Sequence, residues 1–168
     1  MTRFDRPKPA LARGSSVPWL TVIALLSLGA VAAALVSQHV YDMQPCPWCV
    51  LQRAIFVAIA LACVVGLVWR TAAGRVASSV LVFLLAASGV AASAWQHFVA
   101  AKSASCNLTL ADKIVSALKL DTLLPQVFSA TASCADAAVN LLGVPYDFWS
   151  LGLFGVLALM ALRQLFKS

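Results

Sequence analysis

CPWCVLQRAIFVAIALACVVGLVW, Cys46 to Trp69, opens on a Cys-x-x-Cys pair, places Arg53 four residues after Cys49, and then runs uncharged from Ala54 to Trp69. The hydrocarbon core of a bilayer asks for about 20 helical residues, with about 17–25 as the working range. This run reaches that length once Val50–Arg53 is counted at its front. Three further runs carry no charge: Trp19 to Val36, Val76 to Ala101, and Phe148 to Leu162. The first two are long enough alone, and the last needs its flank Val144–Asp147. The whole chain is 62% apolar and 11% charged, against about 45–50% and about 25% in soluble domains. In lipid, only a helix closes all its backbone hydrogen bonds within one short segment. The expected fold class is therefore all-α, an integral membrane four-helix bundle.

Helices are expected at about 18–37, 49–69, 76–98 and 145–163, within a domain spanning 17–165 and with short tails at 1–16 and 166–168. Ser15, Ser16 and Pro18 suit a helix start, because proline's missing N–H costs nothing in a first turn. Thr71 to Arg75 reads as a tight turn between the second and third helices. The first span could be taken for a cleaved signal, but its uncharged core exceeds the about 7–15 residues of such segments, so a retained helix is expected. Of the two loops at the other end, 38–48 is short and 99–144 is long. In the long loop Leu110, Ala111, Ile114, Val115 and Leu118 share a helical face, opposite Asp112, Lys113, Ser116 and Lys119. A short amphipathic helix is expected there, either on the membrane surface or packed against the bundle, with Pro125 ending it.

Four spans place the N-terminus, the 70–75 turn and the C-terminus on one side. That side holds eight basic residues (Arg3, Arg6, Lys8, Arg13, Arg70, Arg75, Arg163, Lys167) and one acid, Asp5. The other side holds four, Arg53, Lys102, Lys113 and Lys119, beside five acids. Lysine and arginine accumulate in cytoplasmic loops, so both termini are expected in the cytoplasm. The net charge of +6 is on this account a topology signal, and no nucleic-acid partner is expected.

The same topology puts Cys46, Cys49, Cys106 and Cys134 on the non-cytoplasmic side, where disulfides persist. Cys63 lies mid-span, where a thiol behaves as a small apolar group. A Cys-x-x-Cys pair serves as a redox dithiol, half of a zinc site or a staple. Zinc needs a second compact pair or histidines at ligand spacing. Cys106 and Cys134 are far apart in sequence and His39 and His97 do not match, so no metal site is expected. The short ring of a Cys-x-x-Cys disulfide makes a poor staple, because stabilisation grows with loop length; by the same logic Cys106–Cys134 would make a better one. Cys49 falls in the first turn of the second helix, where the helix dipole favours a thiolate. Arg53 follows one turn later on the same face. An arginine at the edge of a span marks a functional partner or a snorkelling anchor; beside a thiol pair it can support a thiolate and an oxygen gaining negative charge. His97 ends the third helix at similar depth, and Trp48, Trp95 and Trp149 are candidates for walling a flat ring. Two thiol pairs beside a bilayer suggest electrons passing from thiols to a molecule dissolved in lipid.

Pro45-Cys46-Pro47-Trp48-Cys49-Val50-Leu51-Gln52-Arg53 resembles the signature of the DsbB family, bacterial inner-membrane oxidoreductases that form disulfides. The resemblance continues through Cys106, Pro125-Gln126-Val127-Phe128, Cys134-Ala135, Leu142-Gly143-Val144-Pro145 and Leu151-Gly152-Leu153-Phe154, covering about residues 18 to 165. It implies an enzyme that passes electrons from a reduced periplasmic thioredoxin-fold partner, DsbA, to a membrane quinone, ubiquinone first. The partner's thiol would attack a Cys106–Cys134 disulfide at Cys106. Cys46 and Cys134 would then exchange, leaving Cys46 and Cys49 reduced, and Cys49 would face the quinone with Arg53 and His97 polarising the ring. Pro47-Trp48 varies within the family, which leaves the redox potential open, and Gln52 stands where some members carry glutamate. Two other assignments fit less well. A vitamin K epoxide reductase-like protein shares the four-helix core but not this Arg53 spacing. A non-enzymatic scaffold would use its disulfides only as staples, and these would resist mild reduction.

Overall fold

In a computed structural model, residues 17–69, 71–102, 109–137, 139–141 and 143–167 are described. Four long helices dominate: α1 (Val17–Val40), α2 (Pro47–Val68), α3 (Ala72–Phe98) and, last in the chain, α7 (Tyr146–Lys167). All four are long and apolar enough to cross a membrane. The protein is an all-α membrane bundle, as the uncharged runs require. Its outward faces are apolar as well: Leu25, Leu61, Leu84 and Leu159 are each more than half exposed, a cost in water and none in lipid.

Two helix boundaries differ from expectation for local reasons. α3 begins at Ala72 and not near Val76, because the Thr71 hydroxyl accepts from the Gly74 N–H at 3.1 Å and caps the helix earlier. α7 continues to Lys167, beyond 163, since nothing in Arg163–Phe166 breaks a helix. Among its described residues the long loop carries three short α-helices, α4 (Leu110–Ala117), α5 (Leu120–Leu123) and α6 (Pro125–Phe128), after a 3-10 turn at Ala100–Lys102. The amphipathic helix is α4, started by a capping box between Thr109 and Asp112. It ends at Leu118 and Lys119, whose φ of 54° is left-handed, and Pro125 opens α6 instead of closing α4. Its apolar face is divided. Ala111 and Val115 are buried on the top of α2, whereas Leu110, Ile114 and Leu118 stay exposed. After it, Asn140–Leu141 (β1) and Val144–Pro145 (β2) pair antiparallel around Gly143, whose φ of +81° needs glycine.

α2 packs between α1 and α3, and α3 packs on α7, while α1 and α7 touch only sparsely. In lipid, helices associate through close packing rather than hydrophobic transfer, so small residues set the approach. Gly66 sits against Ser78, where an added Cβ would come within 2.7 Å of that side chain. Gly89 lies against Phe154, which stacks on Phe56 with ring centroids 4.0 Å apart and planes 6° from parallel. A Cβ at 89 would overlap the Phe154 ring. Gly89→Ala should therefore lower stability by about 1–3 kcal/mol, the usual cost of overpacking. Gly29→Ala, which points into open space, should not. Thermal unfolding of both variants in detergent checks this, and equal midpoints would contradict it. Cys63 is fully buried in the same core, as its mid-span position suggested.

Candidate functional site: a cluster of sulfurs at the start of α2

Pro47 occupies the first position of α2 and has no N–H to offer, so the first free donors of the helix belong to Trp48 and Cys49. Sulfur receives both. Cys46 is the N-cap, and its Sγ accepts from the Cys49 N–H at 3.3 Å. The Trp48 N–H donates to Cys134 Sγ. Cys134 is brought there by its own segment: the Thr131 N–H donates to the Pro45 carbonyl at 3.0 Å, and the Thr131 hydroxyl donates to Gln44 Oε1 at 2.6 Å. Cys46 thus lies between two other sulfurs, 2.7 Å from Cys49 Sγ on one side and beside Cys134 on the other. Residues far apart in sequence meet where a helix end favours negative charge.

Among the described residues, the two thiols outside the spans, Cys46 and Cys134, are pushed in opposite directions. Donation to Cys134, then contact with Cys49 and burial, holds the Cys46 thiol far above the ordinary range. The helix end alone would lower it, so the neighbouring sulfurs prevail. The Cys134 thiol is lowered, first by the Cys46 donor and then by the Trp48 N–H, against the opposing cost of burial. A lowered thiol is a thiolate at lower pH, and only the thiolate reacts. In the fully reduced protein Cys134 should thus be alkylated at lower pH than Cys46. Mass-spectrometric mapping of labelled sites across a pH series tests this, and the reverse order would refute it.

Cys49 is half-buried and faces a cleft between α1 and α7. The cleft has two lobes that share Ala34, Cys49, Arg53 and Tyr146. The deeper lobe, about 110 Å³, adds Ala30, Phe56, Trp149 and Leu153; the other, about 450 Å³, opens toward Met43, Pro45 and Thr131. Arg53 is buried, and its guanidinium donates to Gln38 Oε1 at 2.6 Å, the Val127 carbonyl at 3.1 Å and the Ala34 carbonyl at 3.2 Å. It is a fixed cation tied to α1 and α6, which is not how a snorkelling side chain sits.

Of the six expected site residues, Cys46, Cys49, Cys134 and Arg53 come together. Cys106 lies outside the described residues. His97 does not line the cleft; its Nδ1 is 3.5 Å from Asp147 Oδ2, and its ring lies 4.6 Å from that of Phe148. Trp149 lines the cleft, whereas Trp48 and Trp95 pair with each other at 6.4 Å. Three residues not expected at the site lie beside Cys49: Gln52, Gln96 and Asp147, all buried, with Gln96 hydrogen-bonded to each of the other two. Their signal was available, since polar side chains inside spans are costly and mark function.

A membrane-spanning bundle that gathers thiols at the start of one helix, beside a cation and a cleft, has the parts that a membrane thiol–disulfide oxidoreductase needs. Residues 16–164 match the family model described as "Disulfide bond formation protein DsbB". The chain is 33% identical over 155 residues to Disulfide bond formation protein B of Herminiimonas arsenicoxydans, covering 92% of this chain and 98% of that one. It is 31% identical to the protein of the same name in Burkholderia pseudomallei, over 83% of each chain. Disulfide bond formation protein B 1 of Pseudomonas syringae is also 31% identical, over 84% of this chain and 85% of its own. The chain belongs to the DsbB family.

Proposed function

We propose that this protein is a protein-disulfide:quinone oxidoreductase of the bacterial inner membrane. It reoxidises the dithiol of a periplasmic DsbA-type partner and passes the electrons to ubiquinone. Its cysteine-bearing end faces the periplasm and both termini face the cytoplasm, an orientation supported by eight basic residues on one side against four on the other. The observation that carries the proposal is the position of Cys46, buried between Cys49, which lines the cleft, and Cys134.

The partner's dithiol becomes a disulfide as Cys106–Cys134 is reduced, with the first attack at Cys106. Cys134, the lowered thiol, then attacks Cys46: an S–S bond forms between them, the Cys46–Cys49 bond breaks, and Cys49 leaves with the electron pair. Resolution of the Cys46–Cys134 bond by Cys106 restores the outer disulfide and leaves Cys46 and Cys49 as the reduced pair. A quinone beside Cys49 supplies the acceptor, taking two electrons and two protons while Cys46 and Cys49 return to a disulfide. The larger lobe falls within the about 300–1,000 Å³ of small-molecule sites, and the cleft lies where α1 and α7 part. Ala34 and Trp149 offer flat apolar walls. Arg53 is placed to hold a ring oxygen as it becomes negative. His97 reaches the site through Asp147 and Gln96.

Purified protein mixed with a reduced DsbA-type partner and a soluble ubiquinone analogue tests this, with quinone absorbance as the readout. The parent protein should consume quinone and Cys106→Ser should not. Equal consumption by the variant would remove the outer pair from the route. None by the parent, with quinone shown to bind, would overturn the proposal.

A further inference from the structure

We propose that Gln96 is a catalytic residue that holds the Cys49 sulfur through a side-chain N–H, in an orientation imposed by Gln52 and Asp147. The inference rests on Cys49 being the sulfur that leaves in the internal exchange and then serves the acceptor. Gln96 lies on α3, one residue before His97, and is 2% exposed. Its Nε2 is 3.3 Å from Cys49 Sγ. The same nitrogen donates its other hydrogen to Asp147 Oδ1 at 2.5 Å, and its Oε1 accepts from Gln52 Nε2 at 2.7 Å.

These contacts decide which end of the amide meets the sulfur. Asp147, as a carboxylate, only accepts, and the Gln52 nitrogen only donates. A turned amide would set oxygen against the carboxylate and NH2 against NH2, losing both bonds. The clamp therefore fixes a donor on Cys49 before any charge arrives, which is the condition for stabilising charge without reorganisation. Arg53 does not duplicate this, because its hydrogen bonds go to Gln38, Ala34 and Val127. A neutral N–H also suits a sulfur that alternates between thiolate and disulfide: it favours the thiolate when Cys49 departs and leaves no charge unpaired afterwards. When Cys134 attacks Cys46, the electron pair of the broken bond goes to Cys49, and a better-held leaving thiolate departs faster.

The test is the pH profile of Cys49 alkylation in the full-length, fully reduced protein, with labelling mapped by mass spectrometry. The charged and titratable groups around Cys49 are Cys46 and Arg53 on α2, Cys134 on the loop, His97 on α3, and Tyr146 and Asp147 on α7. All of them remain in Gln96→Leu, so a displaced profile reports the amide. Gln96→Leu should move the profile to higher pH and slow alkylation near neutrality by roughly three- to tenfold, the scale of one hydrogen bond to a charged acceptor. Gln52→Leu leaves Gln96 in place but removes one of the two contacts that orient its amide, and should shift the profile the same way by less. This second variant decides if the first does not accumulate. Ser93→Ala, one turn earlier on α3, should match the parent. Unchanged profiles in the Gln variants would overturn the assignment, even with quinone turnover by the parent intact. Absent turnover by the parent would instead count against the proposed function.

Discussion

Cys49→Ser should oxidise one equivalent of the donor dithiol and then stop. The outer pair, Cys106 and Cys134, does not depend on Cys49 to accept the first two electrons. The electrons then have no exit, because a serine hydroxyl neither leaves from a disulfide nor delivers electrons to an acceptor. Steady-state quinone reduction should fall on the order of a thousandfold or more, the scale of losing an essential nucleophile. A rapid-mixing assay separates the burst from turnover. Retention of turnover would place the acceptor-facing sulfur elsewhere, with Cys46 the nearest candidate at 2.7 Å.

Arg53→Leu should damage both rate and fold. Its guanidinium lines both lobes of the cleft, and removing one donor to a developing oxyanion costs roughly 100- to 1,000-fold. The same side chain ties α2 to the Ala34 carbonyl and Gln38 of α1 and to the Val127 carbonyl of α6. Loss of a hydrogen bond to a charged donor costs about 1.5–3 kcal/mol where the acceptor has no other partner, and less at a part-buried helix carbonyl such as that of Ala34. Arg53→Lys keeps the charge but loses the planar fork that serves three acceptors, so it should fall between parent and Leu. Quinone titrations of the turnover rate should show kcat reduced in both variants, with thermal unfolding midpoints in the same order. Parent-like kcat in Arg53→Leu would reduce the residue to a structural tie.

The bundle was legible in the sequence because uncharged runs of membrane length permit one backbone solution. Cys46, Cys49 and Arg53 were legible because they lie within one local segment, where helix geometry alone sets their relation. The meeting of Cys134 with Cys46 was implied only by the family resemblance and not by the residues themselves, since it depends on Thr131 bonding the Pro45 carbonyl and Gln44 across more than eighty residues. The end of α4 was misplaced for a related reason: Pro125 is a strong breaker, but Lys119 turns left-handed first. Gln52, Gln96 and Asp147 are each conspicuous as polar residues in apolar runs, but their network joins three helices across 44 and 51 positions of sequence. A glutamine beside a histidine at a helix end looks like an interfacial residue until α7 places a carboxylate against it. His97, expected to polarise a quinone ring, contacts Asp147 and does not line the cleft.

The central claim, that the Cys46/Cys49 pair hands electrons to a quinone, is tested most directly in a single turnover without donor. The protein is reduced, freed of reductant and oxygen, and mixed with a soluble ubiquinone analogue, while quinone absorbance and free Cys46 and Cys49 thiols are followed together. Quinol should form in step with the loss of those two thiols. Unchanged quinone absorbance, with Cys46 and Cys49 remaining reduced until oxygen is admitted, would contradict it.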